Sequence, residues 1–545
     1  MTWDKQLQMK KKRLSAVQDY VEGKVIQAES IVPFLENIIM AGDKVVLEGC
    51  NQKQATFLAK SLVQVDPEKV NDLNMIMPAV SLDEHLDLFD KKIASELNFA
   101  FSGKQAKRLT EMIQKREVKV GAIHTYLEMY GRMYVDLTPN VCLIAADKAD
   151  RSGNLYTGYN TEDTPILAEA AAFKNGIVIC QVDEIVEDGK MSRIDIPGDW
   201  VDFIVKTEDK LYFEPLFTRD PGKIKDEHIL MAMMVIKGIY AKHQVRTLNH
   251  GVGYNGSAIE LLLPTYGEQL GLKGKICTHW ILNPHPTLIP AIEAGWVEQI
   301  YSFGGELGMD EYTRQRSDVF FTGPDGSMRS NRAIAQTAGL YGIDLFLGGT
   351  LQVDYYGNSS TVTKTRLSGF GGAPNMGNMT TGRRHTSKAW NDTRPKDGSL
   401  ISGKKLVVQM VSSQTRFGPS FVPELDAVKI GKEAGMDAAP VMIYGEDITH
   451  MVTEQGIAYL YQAKDREERS KLLASIAQGT PFGDKVSLDE IDLFRQQGKV
   501  AYPEDLSISV KEANRSLLAA QSLEEIAEIS GGLYQIPESF KKKEE

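Results

Sequence analysis

Twice along this chain, about two hundred residues apart, a short apolar strand runs into a glycine turn and then a helix. In the first half Val45-Val46-Leu47-Glu48-Gly49 reads as a buried strand, followed by a polar loop and a helix over about 52–65. In the second half 244–248 is the strand, Asn249-His250-Gly251-Val252-Gly253-Tyr254-Asn255-Gly256 the loop, and a helix continues to about 268. Further short strands are expected at 73–77, 118–123, 141–146 and 176–182. Strands alternating with helices favour α/β layers around a mainly parallel sheet. The syntax recurring once per half predicts two pseudo-symmetric α/β domains packed face to face, with ligand loops at the carboxyl ends of strands. The polar run 218–228 marks a linker, which divides the chain into 1–220, 221–486 and a polar helical extension, 487–545.

At 545 residues the chain is too long for one core. Its net charge of −11 argues against a nucleic-acid partner, because phosphate-backbone affinity needs clustered Lys and Arg. The one basic run, Lys10-Lys11-Lys12-Arg13, reads as the solvated face of an N-terminal helix. No apolar run approaches the ~20 residues of a membrane span, and the start of the chain lacks the apolar region of a secretory signal. A cytoplasmic protein is expected. Cys50, Cys142, Cys180 and Cys277 are far apart and form no CxxC pair, so they read as core thiols rather than metal or redox groups.

The segment 350–375 carries the most chemistry. Leu351, Val353 and Tyr355 alternate as a strand, Gly357-Asn358 turns the chain, and a second polar strand leads to Gly369-Phe370-Gly371-Gly372. Glycines there allow the backbone to approach a ligand, and their N–H groups suit a carbonyl oxygen that gains negative charge. Gly251-Val252-Gly253-Tyr254-Asn255-Gly256 has the GxGxxG outline but lacks the acidic residue about twenty positions on. A helix N-terminus accepting a phosphate or pantetheine-bearing ligand fits it better than a dinucleotide. His250, His279 and His285 do not have metal-ligand spacing, since Pro284 and Pro286 exclude a helix, and they read as hydrogen-bonded loop or core residues. Asp150-Arg151-Ser152-Gly153-Asn154-Leu155 is a tight turn feeding the polar loop 159–164. Glu454 stands at a strand end before Gly456.

Taken in order, ADRSGNLYTG, AAFKNGIVICQVDEIV, IDIPGDWVDFIV, TLQVDYYGN, GFGG and HMVTEQGIAYL resemble the family I coenzyme A transferases and acyl-CoA hydrolases over roughly 45–460. EGCNQKQATFLAKSL, LNPHPTLIPAIEAGWVE, SFGGELGM and DVFFTGPDGSMRSNRA look like the malonate decarboxylase alpha-subunit family, with citrate lyase alpha more distant. That resemblance implies an acyl-carrier transferase that replaces acetate by malonate on a thioester. The alternatives are a hydrolase or a transferase for another di- or tricarboxylate. It implies no tightly bound cofactor or metal, but use of coenzyme A or the derived prosthetic group of an acyl carrier subunit, with decarboxylase subunits as partners. Where many relatives carry a nucleophilic glutamate, this chain has Trp280. No glutamyl thioester is therefore expected there, and malonate's own carboxylate is left to attack.

The roles implied for single residues follow from the same likeness. Gly371 and Gly372 offer N–H groups to the oxyanion, with Gly369 as hinge, and Glu454 gives orientation or polar support, with nucleophile as its alternative role. Gly49 and Asn51 line the first-half loop; Gly251, Gly253 and Asn255 line the second. Asn160, His279, Asn283, Gly348, Gly349, Asn358 and Asn375 are further substrate or thioester contacts. Arg383, Arg384 and Arg416 are candidates for malonate's second carboxylate, because a guanidinium pairs bidentately with one.

Overall fold

Lys44–Leu47 is the strand around which the first lobe is wound. In the computed structural model, which describes residues 3–50, 53–209, 213–377, 405–436 and 438–541, it runs parallel to Leu73–Ala79 on one side and Val141–Asp150 on the other. The chain first adds Ala94–Phe101 and Lys119–Ile123, then crosses back to lay down Val141–Asp150, Ile177–Val186 and Phe203–Lys206. Among the described residues ten strands join this sheet. A sheet that reverses its winding opens a crevice at the carboxyl ends of the strands beside the switch. Glu48, Gly49 and Cys50 occupy that position.

The second sheet repeats the plan. Thr247–His250 lies between His279–Ile281 and Leu345–Gly349, parallel to both. Gln299–Tyr301 extends one side; Leu406–Met410 and His450–Val452 extend the other. Antiparallel Ile457–Tyr459 and Val500–Ala501 finish it. Residues 487–545 therefore do more than extend the chain as helix. The helix Leu488–Gln496 ends at Gly498, whose φ of +67° turns the backbone into the edge strand Val500–Ala501.

Element bounds differ from expectation for local reasons. The first helix is only Thr56–Leu62, because Lys53–Gln54 pairs back onto Gly49–Cys50 as a two-residue ribbon. The strand expected from residue 244 starts at Thr247, since Gln244 has φ +52° in the turn before it. One apolar core runs through both lobes, and a smaller one fills the other face of the first sheet. All four cysteines are buried thiols outside any disulfide. No helix among the described residues is long and apolar enough to cross a membrane.

Only half of the N-terminal basic run is a solvated face: Lys11 and Lys12 are exposed, while Lys10 and Arg13 are engaged. Lys10 Nζ donates to Asp202 and to the Gly176 carbonyl, both at 2.8 Å. Arg13 makes a two-pronged pair with Asp43, at 2.6 and 2.8 Å, and both side chains are nearly buried. Asp43 immediately precedes the central strand, so this pair fastens helix Trp3–Ala16 to the sheet. Removing one partner of a buried pair leaves the other charge uncompensated, at a cost of about 3–5 kcal/mol. Arg13→Ala is expected to lower the unfolding free energy read from urea titration by an amount in that range. A fall under 1 kcal/mol would assign the pair the weight of a surface contact.

Candidate functional site

The hairpin expected near residue 355 is present. Gln352–Asp354 pairs with Ser359–Ser360, and Asp354 closes the turn by accepting from the N–H groups of Tyr356 and Asn358. From there the chain runs as a strap onto the first lobe. Gly369 bridges to Phe101, and Ser102 N–H donates to the Ser368 carbonyl at 2.9 Å. Phe370 and Gly371 both donate to the Ala100 carbonyl, at 2.8 and 3.0 Å. Gly369 and Gly371 have φ of +68° and +58°, a region where any other residue is strained. A side chain at Gly369 would strike the Ala100 carbonyl, and one at Gly372 would strike Gln336. Of the two glycines assigned to the oxyanion, Gly371 is thus committed: its N–H already serves Ala100. The Gly372 N–H makes no bond among the described residues.

The three glycine turns are joined by unbroken contacts. A Cβ on Gly49 would lie 2.5 Å from the Ala79 carbonyl, and Ala79 pairs with Phe101, which meets Gly369. In the second lobe Gly251 donates to the Leu347 carbonyl at 2.7 Å and lies against Gly348. Gly348 pairs with Gln409, which accepts from Ser359 at the root of the strap. Gly253, with φ +151° and open space where a Cβ would stand, begins helix Tyr254–Leu262. Asn255 Oδ1 is buried and unbonded there.

Buried charges surround the strap. Arg332 pairs with Glu162, reaches Asp163 at 2.9 Å, and lies 4.4 Å over the Tyr126 ring that faces Gly371. Tyr130 donates to Asp163 at 2.5 Å. Burial pushes Asp163 up to about 7, against the Tyr130 bond. Burial likewise raises Glu48, which accepts from Thr164 at 2.5 Å and Ala145 N–H at 2.7 Å. Asn160 accepts from Gly305 N–H at 2.9 Å, and Asn283 donates to Glu162 and to the Gly305 carbonyl. Glu306, next in that loop, accepts from Thr218 N–H, Thr218 Oγ1 and Phe217 N–H, and burial raises it to about 7.

Other predicted residues separate into those near this edge and those away from it. Glu454 lies at the carboxyl edge of the second sheet, where Ser413 N–H (2.9 Å) and Ser413 Oγ bind its two oxygens. Asn375 packs on Gln336 beside Gly372, and Gly349 ends its strand. Asn358 is used up locally, donating to Asp354 and accepting from Gly445 N–H. His279 does not join the site: it opens its strand at the amino end and points outward toward Glu298. Arg416 is exposed and stacks on Phe417. Asn51, Arg383 and Arg384 lie outside the described residues. His250 and His285 are hydrogen-bonded core residues, as expected; both share Glu260 at 2.9 Å. Burial alone would raise Glu260, yet the two histidines hold it below the usual carboxylate range. Among the described residues no cluster suits a metal ion.

With Trp280 buried, stacked edge-on to His250 and donating its Nε1–H to the Cys277 carbonyl, the position of the usual nucleophile belongs to the core. The profile of the family described as "Malonate decarboxylase, alpha subunit, transporter" matches residues 2–543. The chain belongs to that family. It is 52% identical to the "Acetyl-S-ACP:malonate ACP transferase" of Malonomonas rubra, over 99% of this chain and 98% of the relative. A Pseudomonas malonate decarboxylase hetero-tetramer, solved in complex with malonate, contains a chain 56% identical, with a TM-score of 0.94 and 99% of both chains covered. An acyl-CoA transferase from Escherichia coli O157:H7, 15% identical with a TM-score of 0.52 over 81% of this chain and 88% of that one, shares the fold.

Within this alpha-subunit chain, reading the sequence missed Tyr126, Gln336, Arg332 and Glu306. The last two stand in runs already noticed, SNRA and SFGGE, but nothing local announces their partners more than eighty residues away. Glu306 also gives a pH test. Its folded pKa, about 7, lies above its unfolded value near 4.5. Its contribution to stability is then full below pH 4.5 and lost as pH rises through 7. The unfolding midpoint should fall over that interval, and Glu306→Gln, which keeps the acceptor oxygen, should flatten the profile. Asp163, Asp147 and Glu48, all raised by burial, supply the remainder. Equal slopes for wild type and variant would contradict the burial of Glu306 as a neutral acid.

Proposed function

We propose that this chain is the transferase subunit of a malonate decarboxylase: acetyl-S-carrier plus malonate gives malonyl-S-carrier plus acetate. The near full-length likeness to the Malonomonas rubra transferase carries this reading. The thioester would belong to the coenzyme A-derived arm of an acyl carrier subunit, and decarboxylase subunits would act on the product.

The chemistry needs no enzyme nucleophile. A malonate carboxylate oxygen attacks the acetyl carbonyl, the C–S bond breaks, and thiolate leaves a mixed acetyl–malonyl anhydride. The thiolate then attacks the malonyl carbonyl, and acetate departs as the C–O bond breaks. Fixing the carboxylate beside the thioester is worth an effective molarity of ~10⁵–10⁸ M. One well-placed N–H donor adds on the order of 3–4 kcal/mol, and the Gly372 N–H makes no bond among the described residues. Glu454, with both oxygens bonded by Ser413, suits orientation better than attack.

Acetyl-CoA incubated with labelled malonate should yield labelled malonyl thioester and acetate, read by mass spectrometry. Gly372→Val, which drives a side chain into Gln336, should abolish the exchange. Hydroxylamine or borohydride treatment after acetyl-CoA should leave every peptide unmodified; a modified Glu454 peptide would replace this route with a covalent one.

A further inference from the structure

Arg219 sits in the linker between the lobes, and its surroundings leave half of it without a partner. One terminal nitrogen, Nη1, donates to the Leu216 and Thr218 carbonyls at 2.8 and 2.7 Å. Among the described residues no carboxylate forms an ion pair with the guanidinium, which is half-buried and whose pKa partial burial pulls down. Glu306, the acid that acts on it electrostatically, is engaged with Thr218 and Phe217 instead. A guanidinium cannot shed its charge at neutral pH, and a buried cation without a counter-ion is costly. The Nε–Nη2 edge, two parallel N–H donors, is left for a planar anion, and a carboxylate matches it.

The place is as informative as the vacancy. Arg219 Cζ lies 6.0 Å from the ring of Tyr254, the first residue of the helix that follows Gly251–Gly253. Tyr254 stacks on His228, and the neighbouring Glu227 accepts from Ser412. Ser413, next in the chain, holds Glu454. Neighbouring side chains thus lead from Arg219, past the glycine turn of the second sheet, to the Glu454 loop. Arg416 is exposed and stacked on Phe417, so it lacks this burial.

We propose that Arg219 is the residue that receives malonate's second carboxylate and so selects a dicarboxylate over acetate. The assignment rests on the transferase reading above. A monocarboxylate has nothing to offer this edge, so acetate should be indifferent to it.

The test compares two exchanges in the full-length chain with acetyl-CoA as donor: labelled acetate into acetyl-CoA, and malonate into malonyl-CoA. Arg219→Met should raise the KM for malonate about ten- to a hundredfold, the range expected for a lost charge-assisted bond. Acetate exchange and the KM for acetyl-CoA should stay within about twofold, which also reports that the variant is folded. Arg219→Lys should fall between, because a point charge replaces the fork. An unchanged malonate KM overturns the assignment, and so does a rise in the KM for acetyl-CoA, which would put the arm's phosphates on Arg219. If Arg219→Met loses both exchanges, Arg219→Lys decides, and an equal loss of malonate and acetate exchange in it overturns the assignment. A wild-type chain that exchanges acetate but forms no malonyl thioester removes the transferase reading itself.

Discussion

The Ala100 carbonyl accepts from two successive N–H groups of the strap, and the relation between the lobes depends on that junction. Ala100 lies near the carboxyl end of a strand in the first sheet, while Phe370 and Gly371 belong to the second lobe. Two donors can converge on one oxygen only if the backbone turns sharply, and left-handed glycines on either side of Phe370 permit it. Their flexibility in the unfolded chain makes the junction costly to form. What results is a fixed backbone edge rather than a mobile loop, and a donor meant for a transition-state oxyanion must be fixed before the charge develops. The same geometry spends the Gly371 N–H on structure, while the Gly372 N–H makes no bond among the described residues.

How far the sequence disclosed this differs from residue to residue. Both switch-point strands and their glycine turns were legible, because strand period and glycine are local signals. The direction of an N–H is not local, so Gly371 and Gly372 could not be told apart before the strap was seen against Ala100. His279 and Trp280 show the limit on strand faces: adjacent residues point oppositely, and which one faces the core depends on the register with Thr247–Leu248. Arg13 looked like one of four solvated cations; its partner Asp43 lies thirty positions on. Arg332 and its acids, about 170 residues apart, have no shared pattern at all.

Electrostatics at the joint bear on how an anion enters a chain of net charge −11. Like charges a few ångströms apart in a low-dielectric site repel strongly. The carboxylates here are paired or raised toward neutrality: Glu162 faces Arg332, Glu260 faces two histidines, and Asp163 and Glu306 titrate near 7. Glu48, at the switch point itself, is raised as well. Each therefore adds less negative field than its formal charge suggests. Arg219 lies among these muted acids, and no carboxylate among the described residues forms an ion pair with it.

Trp280 completes that picture from the other side. A glutamate in its place would bring one more carboxylate toward the glycine turn, and its charge would oppose a second anion arriving beside it. The indole instead packs on His250 and closes the core behind the turn. His250 is thereby fixed against Glu260, and Glu260 in turn fixes His285 under the loop that carries Asn283. A tryptophan at this position thus adds no carboxylate to the site and firms the wall behind the turn. In the exchange proposed above the substrate's own carboxylate attacks, and a diacid then keeps a second carboxylate by which it can be held, whereas acetate has none.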